Sequence, residues 1–242
     1  MGLFGSKENK SKVNLTKEER VSRVNLRKQE VQNVCAGFGA IGGGIMNTAK
    51  ARVALVLDYS GSMNSLYSDG TVQEIIEQML PMALNFDDDG TMETWLFDDG
   101  FHRLPEINMG NFYDYVNTEV IGKYRMGATA YAPVMKDIRK YYREETPTNL
   151  PTYVIFITDG DNADHNNATN AIREFSKDPI FWQFVGVGNA RFAYLEKLDT
   201  MDGRYIDNAN FFKVGKAADI TYNDLLAEFP AWLADSKVQG ML

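Results

Sequence analysis

The sequence predicts a doubly wound α/β domain: a mainly parallel sheet flanked by helices on both faces, with an extra N-terminal helix. Three observations predict it. From residue 51 onward, short apolar runs of strand length alternate with stretches of helical spacing, the pattern of βαβ units. Two of those runs, residues 52–57 and 152–158, are apolar almost throughout, which suits strands covered on both faces. The chain has 242 residues, 44% of them hydrophobic, enough for one sizeable core.

The elements follow in order. Residues 1–15 are polar, lysine-rich and without periodicity, and read as a disordered basic tail. Thr16-Lys17-Glu18-Glu19 is a capping box. Behind it Val21, Val24, Val31, Val34 and Phe38 recur at helical spacing, so a helix is expected over 16–36. That helix reads as one packed on the main domain; a docking helix or short coiled coil is the rival, and its apolar stripe is short for a heptad array. Gly37-Phe38-Gly39-Ala40-Ile41-Gly42 spells G-x-G-x-x-G, but a helix precedes it and a strand follows. A dinucleotide fingerprint needs the opposite order, so 37–50 reads as a glycine-rich linker. The main domain then runs 51–242.

Within it, strands are expected at 52–57, 92–97, 152–158, 181–187 and, at an edge, 211–214. Residues 101–104 form a hairpin partner across Asp98-Asp99-Gly100. Helices are expected at 72–84, 112–120, 133–143, 163–176, 193–199 and 222–235. In such sheets ligands bind beyond the carboxyl ends of the strands.

Composition narrows the function. A net charge of −8 gives no general reason to expect nucleic-acid binding, although residues 1–30 carry eight basic side chains against four acidic ones. The lone Cys35 excludes an internal disulfide framework and fits a reducing, cytoplasmic setting. No apolar run approaches the roughly 18 residues of a membrane span. The start, Met1-Gly2-Leu3-Phe4-Gly5-Ser6, lacks the apolar region of a secretory signal and matches the short myristoylation pattern.

One strand end carries the chemistry. Val53 to Leu57 lead into Asp58-Tyr59-Ser60-Gly61-Ser62. An apolar strand needs no such trio for stability, and three oxygen-bearing side chains suit a hard divalent cation. Asp, Ser and Ser are also ordinary turn and cap residues. Two further stretches add weight: Gly127-Ala128-Thr129-Ala130, a loop with a hydroxyl before a helix, and Thr158-Asp159-Gly160, where a second apolar strand ends in a carboxylate.

With these residues the chain resembles the von Willebrand factor A (VWA) domain with its metal-ion-dependent adhesion site (MIDAS), defined by D-x-S-x-S, a threonine and a later aspartate in that order. The five positions are Asp58, Ser60, Ser62, Thr129 and Asp159. Leu66-Tyr67-Ser68-Asp69-Gly70-Thr71-Val72, Phe86-Asp87-Asp88-Asp89-Gly90 and Thr94-Trp95-Leu96-Phe97 are similar to the bacterial TerF-type branch of tellurium-resistance and stress proteins. The resemblance covers about residues 50–235 and implies Mg2+, or Mn2+ or Ca2+, at the top of the sheet. It implies that Ser60 and Ser62 ligate through their hydroxyls and that Thr129 ligates directly or through water. Asp58 and Asp159 then act largely through waters or through hydrogen bonds to the groups that ligate. An open position on the metal would take an Asp or Glu carboxylate from a partner protein, so the module binds and does no chemistry of its own.

Enzyme readings fare worse. A dehalogenase-type, Mg-dependent phosphoester hydrolase needs D-x-D, and Ser60 stands at the second position. No serine here has the G-x-S-x-G context, and no P-loop is present. The two histidines are His102, in the acidic hairpin, and His165, read as a helix-start surface residue. Asn85 to Leu96 begins like an EF-hand loop but ends in Leu where Glu is needed, so it reads as a helix-to-strand turn. Asp69, Asp161 and Asp164 are expected to rim the metal. A third reading makes the chain a structural subunit that oligomerises through its N-terminal helix.

Overall fold

A computed structural model of the chain describes residues 15–39 and 44–242. The tail over 1–14, its myristoylation pattern and part of the glycine-rich linker lie outside the described residues. Among these residues six strands form one sheet: β1 (Arg52–Asp58), β2 (Met92–Phe97), β3 (Phe101–Ile107), β4 (Thr152–Thr158), β5 (Ile180–Val187) and β6 (Ala209–Val214), in the order β3-β2-β1-β4-β5-β6. All pairs are parallel except the β2–β3 hairpin. The chain builds outward from β1 to β2 and β3, then returns to lay β4 on the other side of β1. The switch point between β1 and β4 is where a ligand crevice opens in sheets of this kind.

The strands are apolar throughout because both faces are covered. Val53, Leu55 and Leu57 of β1, with Tyr153, Ile155 and Ile157 of β4, point to one core. Ala54, Val56, Val154 and Phe156 point to the other. The first core is covered by α1 (Lys17–Gly37), α3 (Thr71–Phe86) and the C-terminal helices; the second by α4 (Ala132–Lys140), α5 (His165–Phe175) and α6 (Ala193–Asp199).

The helix expected over 16–36 is α1. Its capping box is formed: the Thr16 hydroxyl accepts from the Glu19 N–H at 3.2 Å, and Glu19 accepts from the Thr16 N–H at 2.7 Å. Val24, Val31 and Cys35 are buried in the first core, and Arg20 pairs with the buried Glu77 of α3. Packing on the main domain is therefore the arrangement found.

Two helix expectations are corrected, and one short helix is added. Residues 112–120 supply only one wide turn, Val116–Val120, because Asp114 adopts a left-handed φ of 60° just before it. The stretch 222–235 is three short helices, α7 (Tyr222–Leu225), α8 (Phe229–Ala234) and α9 (Ser236–Gln239). Pro230 has no N–H to continue a helix and sits in the first turn of α8; Asp235 then caps α9 through the Lys237 N–H at 2.8 Å. A short helix absent from the sequence reading, α2 (Asn64–Ser68), lies between β1 and α3.

The Asp87-Asp88-Asp89 turn joins α3 to β2, as read, and its carboxylates cluster. Asp87 Oδ2 accepts from the Val53 N–H at 3.3 Å, at the start of β1. Burial, with Asp89 and Glu93 nearby, pushes the Asp87 carboxyl up to about 7. A raised carboxyl pKa contributes stability below about pH 4 that is lost as pH rises through about 7. Asp87→Asn keeps the acceptor for Val53 without the charge. It is expected to melt like wild type at pH 4 and to be more stable by about 1 kcal/mol or more at pH 8. Thermal melts across that range, in chelator, check this; equal melting temperatures at pH 8 would refute it.

Candidate metal centre

Asp58 is the last residue of β1 and is fully buried. Its Oδ1 accepts from the Ser60 N–H at 2.7 Å, which turns the chain sharply out of the strand. Its Oδ2 accepts from the Thr158 hydroxyl, at the end of β4, at 2.6 Å. The Tyr67 hydroxyl of α2 donates to the Asp58 carbonyl at 2.9 Å, and the Tyr67 ring meets Tyr59 edge-on with centroids 4.9 Å apart. Burial raises the Asp58 carboxyl to about 6; the Thr158 and Ser60 hydrogen bonds hold it down, and the neighbouring Asp159 charge adds to the rise.

Ser60 and Ser62 bring their hydroxyl oxygens to 3.1 Å from each other, and the Ser62 hydroxyl donates to Asp159 Oδ1 at 2.7 Å. Thus the ends of β1 and β4 and the loop after β1 converge on one point. Thr129 lies on the loop before α4, and three bonds stitch that loop to the same place. Gly127 pairs with Ser60, its carbonyl accepting from the Gly61 N–H at 3.1 Å; Ala130 N–H donates to the Asp98 carbonyl at 2.8 Å; Ala163 N–H donates to the Thr129 carbonyl at 2.8 Å. A Cβ at Gly127 would stand 2.6 Å from carboxylate oxygens of both Asp98 and Asp99, so a larger residue here would have to push those two side chains aside.

Each of the three outer aspartates engages the start of a helix. Asp164 accepts from the Tyr131 and Ala132 N–H groups, each at 2.9 Å, at the start of α4. Asp161 accepts from the Tyr194 N–H at 3.2 and 3.3 Å, at the start of α6. Asp69 accepts from the Thr71 N–H at 2.8 Å at the start of α3. Helix starts present unpaired N–H groups and a partial positive charge, so they attract these carboxylates. His165 opens α5 and stacks on Tyr194, ring centroids 4.2 Å apart, while His102 is exposed on β3 beside Tyr124. The acidic 87–89 turn is no part of this site: its contact to Val53 puts it at the other end of β1, about 16 Å from Asp58.

Thr158 and Gly127 are the participants that sequence reasoning passed over. Each left a signal: a hydroxyl closing an otherwise apolar strand, and a glycine inside the Arg125-to-Ala130 loop.

The donor set suits a small hard cation. Adjacent ligands of an octahedral ion with bonds of about 2.05 Å stand about 2.9 Å apart, and the two serine hydroxyl oxygens are 3.1 Å apart.

A protein-family model described as "vWA found in TerF C terminus" matches residues 50–242. The chain belongs to this vWA-TerF-like family. Among its relatives, YcbR of Bacillus subtilis (strain 168), described as uncharacterized, is 42% identical over 200 residues, 79% of this chain and 81% of that protein. Among solved structures, proximal thread matrix protein 1 from the mussel byssus, with a zinc-occupied MIDAS motif, superposes with a TM-score of 0.54 at 18% identity. That match covers 77% of this chain but 46% of the mussel protein, so the vWA-TerF-like chain spans under half of that relative's length. The manganese-loaded TRAP protein of Plasmodium vivax superposes with a TM-score of 0.51 at 15% identity, over 78% of this chain and 73% of that one. At these identities the likeness is one of fold, and the fold is the VWA α/β fold with its mostly parallel six-stranded sheet. No helix among the described residues is long and apolar enough to cross a membrane.

Proposed function

We propose that this vWA-TerF-like protein is a metal-dependent protein-binding module. Ser60, Ser62 and Thr129 would hold a divalent cation, Mg2+ first and Mn2+ or Ca2+ as substitutes, with Asp58 and Asp159 supporting it through water. The observation that carries this reading is that the Ser62 hydroxyl lies 3.1 Å from the Ser60 hydroxyl and 2.7 Å from Asp159 Oδ1 at the β1–β4 switch point. Zinc in the mussel protein's MIDAS motif and manganese in the Plasmodium protein support it by likeness of fold. When bound, the cation supplies a positive charge little reduced by neutral hydroxyl ligands, and so attracts a carboxylate from a partner protein.

This chain's own residues prepare that. Asp58 engages each carboxylate oxygen once, toward Ser60 and toward Thr158, which holds the serine loop in place and leaves acceptor capacity for water. Membership in a family of interaction modules, and Ser60 where a hydrolase needs a second carboxylate, favour binding over phosphoester hydrolysis. We assign the protein to a cytoplasmic stress or tellurium-resistance system, a reading supported by the TerF connection of its family and by the lone thiol of Cys35. α1 lays its buried residues against the first core, so oligomerisation through that helix would need a different face.

The test is calorimetric titration of Mg2+, Mn2+ and Ca2+ into metal-stripped protein, alone and with acetate as a stand-in for the partner carboxylate. One saturable site is expected in wild type, tightened by acetate, and lost in Asp159→Ala while the fold stands. Silence in wild type with acetate present, or unchanged binding in the variant, would overturn the assignment.

A further inference from the structure

Thr129 and Asp159 lie on separate loops, yet three hydrogen bonds fasten those loops to each other. Two come from backbone N–H groups: Ala163 donates to the Thr129 carbonyl at 2.8 Å, and Tyr131 donates to Asp164 Oδ1 at 2.9 Å. The third passes through a side chain. The Tyr131 hydroxyl donates to the Gly160 carbonyl at 2.6 Å and stands 3.3 Å from the Thr158 hydroxyl, which itself donates to Asp58 Oδ2. One phenol thus engages both residues that flank Asp159, and through Thr158 it backs Asp58. Tyr131 follows Thr129 by two residues, so the two Cα atoms stand within about 7 Å of each other. Its ring is fully buried in the second core, with the Phe156 and Phe97 ring centroids 4.9 and 5.7 Å away. A ring packed in this way has its hydroxyl placed by the core, and the metal loops rest on that fixed point.

We propose that Tyr131 is a positioning residue of this site, and that its hydroxyl sets which cation the site prefers by fixing the gap between Thr129 and Asp159; this rests on the metal-dependent binding reading above. Mg2+ demands near-octahedral ligands at about 2.0–2.1 Å, whereas Ca2+ accepts about six to eight oxygens at about 2.3–2.6 Å in flexible arrangements. A gap held by a buried strut suits the small ion. Releasing the strut therefore costs the small ion more than the large one. Residues that orient metal ligands from outside are typically worth about 10–100-fold in metal affinity. The hydroxyl can be removed without orphaning its acceptor, since Gly160 is half-buried and the Thr158 hydroxyl lies 3.1 Å from its carbonyl. Tyr131→Phe is therefore expected to fold.

The test is calorimetric titration of Mg2+ and of Ca2+ into metal-stripped, full-length wild type, Tyr131→Phe and Tyr153→Phe, each with acetate present. Tyr153 is the control. It too is fully buried, its hydroxyl donates to the Leu225 carbonyl, and it lies at the opposite end of β4, about 20 Å from Asp159. Expected in Tyr131→Phe is a Mg2+ affinity at least about tenfold weaker and a Ca2+ affinity less than about threefold weaker, with both unchanged in Tyr153→Phe. A metal-free readout accompanies the titration. Amide hydrogen exchange at Ala163, whose N–H holds the Thr129 carbonyl, should quicken at least about tenfold more in Tyr131→Phe than in Tyr153→Phe, while Val185 in β5 shows no such excess. Equal losses of Mg2+ and Ca2+ affinity, unchanged affinities in Tyr131→Phe, the same losses in Tyr153→Phe, or no excess exchange at Ala163 overturn the proposal and leave the metal reading standing. Wild type that binds neither ion overturns that reading, and this proposal with it. Should Tyr131→Phe fail to fold, 4-methylphenylalanine at position 131, which fills the phenol's volume without a donor, takes its place.

Discussion

Asp58→Asn is expected to weaken divalent-cation binding by about 10–100-fold and, in metal-free protein at pH 8, to raise the melting temperature. The two effects have one cause. Asp58 is a fully buried carboxylate whose charge is disfavoured by its surroundings, which pushes its carboxyl up to about 6. An asparagine keeps the Oδ1 acceptor for the Ser60 N–H. Its amide would face the Thr158 hydroxyl, which already has a second acceptor in the Gly160 carbonyl at 3.1 Å. Geometry thus survives while the buried charge is removed. The gain should be about 2 kcal/mol, or about 4–8 °C in a chain of this length. Calorimetric melting in chelator and metal titration of the same sample check both halves. A variant that melts lower than wild type would show that the carboxylate stabilises the fold, and undiminished metal affinity would remove Asp58 from the site.

Arg20→Ala is expected to destabilise the protein by about 3 kcal/mol. Glu77 is buried on α3, and besides Arg20 its carboxylate accepts only from the Gln73 amide, at 3.2 Å, among the described residues. Removing the guanidinium leaves a charge out of water without a counter-ion, and that loss exceeds the net worth of the pair. The double variant Arg20→Ala, Glu77→Gln should therefore recover most of the stability. Urea denaturation of the two singles and the double closes the cycle. If Arg20→Ala costs under about 0.5 kcal/mol, the contact is a surface pair in solution and α1 is held by its apolar face, Val24, Val31 and Cys35 with Val21 and Val34 beside them. Deleting residues 1–47 is likewise expected to harm the fold instead of merely trimming it, since it strips those three buried side chains and strands Glu77.

Legibility followed locality. The capping box of α1 was readable at Thr16 and Glu19 because its partners are three residues apart. β1 and β4 were readable because burial on both faces demands apolar side chains at every position. The C-terminal stretch was misread as one helix because spacing alone ignores the break at Pro230, while Phe229 and Trp232 pack on Phe181 of the sheet regardless of the helix axis. α2 escaped notice since its five residues hold no periodicity; the Tyr67 hydroxyl on the Asp58 carbonyl helps to hold it. That Asp161 and Asp164, close behind Asp159 in the chain, each serve a helix start 32 or 33 residues away left no mark in the sequence.

By itself, then, the sequence determined the doubly wound fold class, because strand burial is written along the chain, and it offered Asp58, Ser60, Ser62, Thr129 and Asp159 as candidates through a resemblance to the VWA family carried by D-x-S-x-S and two later positions. Only the tertiary structure decided that Thr158 bonds Asp58 and that Gly127 admits the β2–β3 turn. It alone set Arg20 against Glu77 and the Tyr131 hydroxyl against the Gly160 carbonyl. Those facts depend on groups 28 to 100 residues apart being brought close together, and no local pattern encodes which distant group will arrive.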